Sequence, residues 1–141
     1  MRVYTLGYMG WRPTELLEVA ERLNATIIDV RLMPRSRWSP DYNAKSLKTA
    51  LGDRYVWLEG FGNLNYKGGP IVLKDFAGAL KTLSEMSLRG PRVILMCGCK
   101  DVNVCHRKIV AERLAKLWHC PIEHLERPER KTPDSDQLGL F

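Results

Sequence analysis

The chain has 141 residues, enough for one domain to bury a core without staples. Its 45% hydrophobic and 27% charged content excludes disorder throughout, and no stretch approaches the ~18 apolar residues of a membrane span. A net charge of +6 and an isoelectric point of about 9.3 favour anionic partners.

The elements follow in order. Residues 2–6 (RVYTL) are β-prone and stop at Gly7, which predicts a first strand. Residues 13–23 carry Leu16, Leu17, Val19, Ala20 and Leu23 at helical spacing, with Pro13 in the first turn and Asn24 closing the helix. Residues 25–30 (ATIIDV) form a near-continuous apolar run, as in a strand covered on both faces. A loop over 31–40, a short helix over 43–51 and a third strand over 54–58 come next. Gly60, Gly62, Gly68 and Gly69 mark an open, ligand-accessible stretch. A helix over 73–87, a strand over 91–97, a strong helix over 104–118 and a last strand over 122–125 complete the core.

Strands alternating with helices predict a three-layer α/β/α sandwich with a mostly parallel, Rossmann-like sheet. Such sheets bind ligands at the carboxyl ends of their strands. The loops after Val30, Leu58 and Cys97 are therefore expected on one edge. The domain is read as residues 1–126, with a polar linker over 127–136 and a separate tail over 137–141. Trp57 and Trp118 are placed in the core, and Trp11, Trp38, Tyr42 and Tyr66, taken one at a time, read as packing residues of loops and element ends.

Three of the four cysteines, Cys97, Cys99 and Cys105, lie within nine residues, unlike the spread of a secreted disulfide framework. With no apolar leader at the N-terminus, the expectation is a reduced, cytoplasmic protein. Cys105, His106 and Arg107 fall at a helix start, where free N–H groups and the dipole favour an anion and an ionised thiol. Either Cys105 is such a reactive thiol or it is a small core residue; Cys97 reads as the buried end of a strand. Zinc is a competing reading, since Cys97, Cys99, Cys105 and His106 could supply four ligands. Against it, the spacing lacks two separated knuckles and a strand-embedded Cys97 is expected to point away, so no metal and no cofactor are expected. The C-x5-R phosphatase loop is absent, because six residues on from Cys99 stands Cys105 and from Cys97 stands Asn103.

Asp29 and Arg31 share one face of a strand, which makes Asp29 the orienting partner of an arginine. Arg31, Arg35 and Arg37, with Trp38, combine cations and an aromatic plate suited to a phosphate backbone with a stacked base.

These residues also carry a resemblance. YTLGY at 4–8, DVR at 29–31, PRSR at 34–37, LEGFGN at 58–63, LMC at 95–97 and CHR at 105–107 run in the order of the family called domain of unknown function 488. The chain resembles that family over about residues 2–125. The resemblance implies an α/β sandwich and marks Asp29, Arg31, Pro34, Arg35, Ser36, Asn63, Cys97, Cys105, His106 and Arg107 as motif positions. Members often carry His where this chain has Tyr8, and an acidic residue where it has Cys99.

The tail, QLGLF at 137–141, is similar to the peptide by which bacterial polymerases and repair proteins dock on the DNA sliding clamp, with Gly139 in place of the usual Ser or Asp. Leu138, Leu140 and Phe141 would fill an apolar groove and Gln137 would hydrogen-bond at its edge. The alternative is that Leu140 and Phe141 fold back on the domain or cover a dimer seam.

The expected function is DNA maintenance: the core binds DNA or a nucleotide through Arg31, Arg35 and Arg107, with Ser36, Arg37 and Asn63 nearby, and the tail recruits it to the clamp. The alternatives are a non-catalytic nucleic-acid or nucleotide adaptor and a cysteine-dependent small-molecule enzyme. Whether it is an enzyme is left open. A catalytic core would use Cys105 or Cys97 as nucleophile and Asp29 or His106 as orienting or proton-transfer groups. No membrane partner is expected.

Overall fold

The apolar runs of the sequence become strands. In a computed structural model describing residues 2–35, 37–99 and 101–129, these are β1 (Val3–Gly7), β2 (Ala25–Asp29), β3 (Tyr55–Trp57), β4 (Arg92–Cys97) and β5 (Ile122–Leu125). Between them lie α1 (Pro13–Leu23), α2 (Ala44–Leu51), α3 (Phe76–Glu85) and α4 (His106–Trp118). The sheet order is β3-β2-β4-β1-β5 and every pairing is parallel.

Alternation along the strands builds two cores. Tyr4, Leu6, Ile27, Ile94 and Met96 face α1 and α2, where Leu16, Val19, Leu47 and Leu51 meet them. Val3, Ile28, Val93, Leu95 and Cys97 face α3 and α4, where Leu83, Val110 and Leu114 meet them. The result is the expected three-layer α/β/α sandwich. Among the described residues no helix is long and apolar enough to cross a membrane.

Local chemistry sets the helix ends. Glu15 accepts a hydrogen bond from the Arg12 N–H at 2.7 Å at the start of α1, and Asn24 ends it in the left-handed conformation at φ 49°. The third helix begins at Phe76 rather than Leu73. Asp75 caps it by accepting from the Gly78 N–H at 3.0 Å, while Leu73 is held in a bridge with Asn63. The fourth begins at His106, because residues 102–104 form a separate tight turn anchored by Asp101 on the Asn103 N–H at 2.9 Å. Trp57, placed in the core from its sequence, is 40% exposed because β3 is the edge strand. Its indole N–H donates to the Arg31 carbonyl at 2.8 Å.

The topology creates one crevice. β1 and β4 are neighbours, yet α1 leaves β1 along one face and α4 leaves β4 along the other. The loops after them diverge at the carboxyl edge, where ligands of such sheets bind.

Candidate functional site

Two buried polar groups sit at this edge, one on each side of the sheet. On the α1/α2 side, Asp29 is fully buried at the end of β2. Its Oδ1 accepts from the Arg31 N–H at 3.1 Å and from Nε at 2.9 Å, and its Oδ2 accepts from Nη2 at 2.7 Å and from the Tyr55 hydroxyl at 2.6 Å. Arg31 also donates to the Tyr42 carbonyl at 2.6 Å and the Tyr8 hydroxyl at 3.3 Å. Tyr8 and Tyr42 stack with centroids 4.5 Å apart, and the guanidinium lies 4.9 Å from the Tyr8 ring centre. Burial pulls the Arg31 pKa down, but its bonds and charge interaction with Asp29 outweigh this and raise it. Burial and the neighbouring carboxylate hold the Tyr55 phenol well above its ordinary value. Asp29 thus fixes Arg31 by a bidentate pair, as the strand alternation implied. Tyr8, Tyr42 and Tyr55 complete the group; Tyr55, on the neighbouring strand β3 and two residues before the one paired with Asp29, is the partner that spacing alone does not reveal.

On the α3/α4 side, the sulfurs of Cys97, Cys99 and Cys105 all lie within 4.8 Å of one another. The end of β4 and the start of α4 meet at the carboxyl edge, so Cys97 points toward the other two rather than away, correcting the expectation from the sequence. Nδ1 of His106 is 3.9 Å from both the Cys97 and the Cys105 sulfur. Its Nε2 meets the Val30 carbonyl at 2.6 Å. A carbonyl only accepts, so Nε2 carries the hydrogen, and Nδ1 is the nitrogen turned to the sulfurs. Burial lowers the His106 pKa; hydrogen bonding to Cys105 and to Val30 outweighs it and the net shift is upward.

The three thiols titrate as one unit. Hydrogen bonds from Cys105 and Cys97 draw the Cys99 thiol far below its ordinary range, with the charges of His106 and Arg107 helping against burial. The Cys105 thiol is pushed up by its bonds to Cys97 and Cys99 and by burial. At Cys97 the bond with Cys105 lowers the pKa, but the bond with Cys99 and burial prevail and raise it to about 11. Cys99 is also exposed, whereas Cys97 and Cys105 are buried. Iodoacetamide is accordingly expected to modify Cys99 before Cys97 or Cys105 in native, reduced, metal-free protein. Peptide mapping of partly labelled protein checks this, and first labelling of Cys105 would contradict the packing.

A cavity of about 390 Å³ joins several expected residues: Arg31, Asn63, Cys97, Cys99 and His106 line it, with Tyr66 on its rim. Cys105 lies behind this wall, only 2% exposed. Asn63 turns its side-chain oxygen to the N–H groups of Asn65 and Val72, at 3.0 and 3.1 Å, and so holds the glycine-rich loop shut beside the cavity. Arg35 lies in a neighbouring cavity of about 510 Å³ with Asn43, Lys45 and Trp57, and Leu32 and Met33 line both. Arg37 is exposed further along the loop, 6.0 Å from the ring centre of Trp38. Arg107 is placed apart from these arginines. It is buried, its Nη1 donates to the Cys99 carbonyl, and its Nε has no hydrogen-bond partner among the described residues. Arg107 thus holds the Cys99 loop from behind and does not share the cavities of Arg31 and Arg35. Ser36, Gln137, Leu138, Leu140 and Phe141 lie outside the described residues.

One family model, described as a domain of unknown function (DUF488), matches residues 15–69 and 71–114. No curated protein and no solved structure matches the chain.

Proposed function

The chain belongs to the DUF488 family, and from that premise we propose that it is a DNA-maintenance protein whose carboxyl edge binds single-stranded nucleic acid and whose 137–141 segment docks on a sliding clamp. The observation that carries this reading is Trp38. It is 86% exposed on a loop that also bears Arg35 and Arg37, and Arg35 lines a cavity with Lys45. Fully exposed indoles are rare on a globular surface, and an indole among cations is the combination that stacks a base and neutralises its phosphate. Met33 and Tyr66, both more than half exposed, extend the apolar surface toward the second cavity. The QLGLF segment supplies the second contact, since tethering to the clamp raises local concentration without further contacts to DNA.

Fluorescence anisotropy with a labelled single-stranded oligonucleotide tests the core. Trp38→Ala is expected to weaken binding by roughly tenfold or more, since a stacked base contributes about 1–3 kcal/mol. Binding should also fall steeply with salt. Unchanged affinity in Trp38→Ala would remove the stacking platform. Pull-down with a bacterial sliding clamp tests the tail: the full chain should be retained, and a version ending at Ser135 should not.

A further inference from the structure

Beyond that reading, and independently of it, we propose that Cys97, Cys99, Cys105 and His106 form a zinc site that clasps the end of β4 to the start of α4. Four donors of the right kind converge. The three sulfurs lie within 4.8 Å of one another, and His106 Nδ1 lies 3.9 Å from two of them. Tetrahedral zinc with Zn–S bonds of about 2.3 Å sets sulfurs about 3.8 Å apart. The three sulfurs thus stand within about 1 Å of the bound geometry before any ion enters, and Cys99, the exposed member, is the ligand that must move to close the site with His106.

The surroundings fit the ion as well as the ligands do. The other nitrogen of His106 donates to the Val30 carbonyl at 2.6 Å, which is how a metal-ligating imidazole is usually oriented and its tautomer set. Zinc with three thiolates and a neutral imidazole carries a net charge of −1. Arg107, 3% exposed, has no carboxylate in salt-bridge range among the described residues, and its guanidinium is fixed to the carbonyl of Cys99. A buried cation without a counter-ion is costly. An anionic zinc–thiolate centre one residue away supplies that counter-ion. Four protein ligands leave no open position, which makes this a structural centre.

Metal analysis and competitive titration of the full, reduced chain against a zinc chelator test the proposal. A single zinc ion per chain is expected, bound tightly enough to survive gel filtration. Cobalt in its place should give the intense visible bands of tetrahedral thiolate coordination. Cys99→Ser is the informative variant, because its side chain is exposed and the fold does not depend on it. Zinc affinity should fall roughly a hundredfold with the circular dichroism spectrum unchanged. Cys120→Ser, outside the cluster, should bind zinc as the parent does. Folded, reduced protein that takes up no stoichiometric zinc overturns the proposal. So does equal affinity in Cys99→Ser, or recovery from reductant-free purification of a disulfide between Cys99 and either neighbour that reduction does not convert to a zinc-binding form.

Discussion

Asp29→Ala is expected to lower the stability of the domain by about 3–5 kcal/mol, the range seen when one member of a buried ion pair is removed. The carboxylate is fully buried and takes three hydrogen bonds from Arg31 and one from Tyr55. Without it, a guanidinium that is 9% exposed keeps, among the described residues, the Tyr42 carbonyl and the Tyr8 hydroxyl. The lost bonds matter less than the charge left behind. This separates the prediction from a simple packing loss: Asp29→Leu combined with Arg31→Met, which removes both charges, should recover most of the stability. Tyr55→Phe deletes one hydrogen bond to the carboxylate and should cost about 1.5–3 kcal/mol. Urea denaturation of the four proteins decides the matter. If Asp29→Ala unfolds within 1 kcal/mol of the parent, the pair is not what holds the edge of β2.

The consequence reaches the site. Arg31 lines the same cavity as Cys97, Cys99 and His106, and its carbonyl holds the indole of Trp57. Asp29 therefore positions the wall between the sulfur cluster and the basic loop. Its substitution should disturb nucleic-acid binding through the loop even at temperatures where the variant remains folded.

Much of this was legible in one dimension. The apolar runs at 25–30 and 93–97 specify covered strands, and a strand followed by a helix throughout specifies a parallel sheet. The pairing of Asp29 with Arg31 follows from a two-residue repeat. What the sequence hides is what the crossover brings together. Cys97 closes a strand and Cys105 opens a helix, and a linear spacing of eight gives no sign that their sulfurs meet. Periodicity speaks only within an element, and this contact lies between two. Trp57 failed for another reason: its β-prone neighbours indicate a strand, and nothing local says that the strand is at the edge. Arg107 is the same lesson in charge. A helix-start arginine reads as a ligand for anions, and only the fold shows it turned inward to the Cys99 carbonyl.

Gly7→Ala is expected to be the most damaging small substitution at the site, costing about 3 kcal/mol and releasing the sulfur cluster with it. Gly7 is the last residue of β1 and pairs with Cys97 in register. A Cβ built there stands 2.0 Å from the Cys99 carbonyl oxygen and 3.1 Å from Nη1 of Arg107. Neither neighbour can step aside cheaply. The carbonyl is backbone in a loop pinned by that same arginine, and the arginine is buried. Relief requires the 98–99 segment to move away from β1, carrying the Cys99 sulfur out of reach of Cys97 and Cys105. Gly98→Ala is the control. Its Cβ meets the ring and hydroxyl of Tyr8 at 3.1–3.4 Å, a side chain that needs to give by only a few tenths of an ångström, so the cost should stay under about 1 kcal/mol. Thermal unfolding of the two alanine variants, with zinc titration of each, tests the argument. Gly7→Ala should lose both stability and zinc, and Gly98→Ala should keep both. A Gly7→Ala protein that melts with the parent would mean that the loop after β4 is free to relax, and that Arg107 does not pin it.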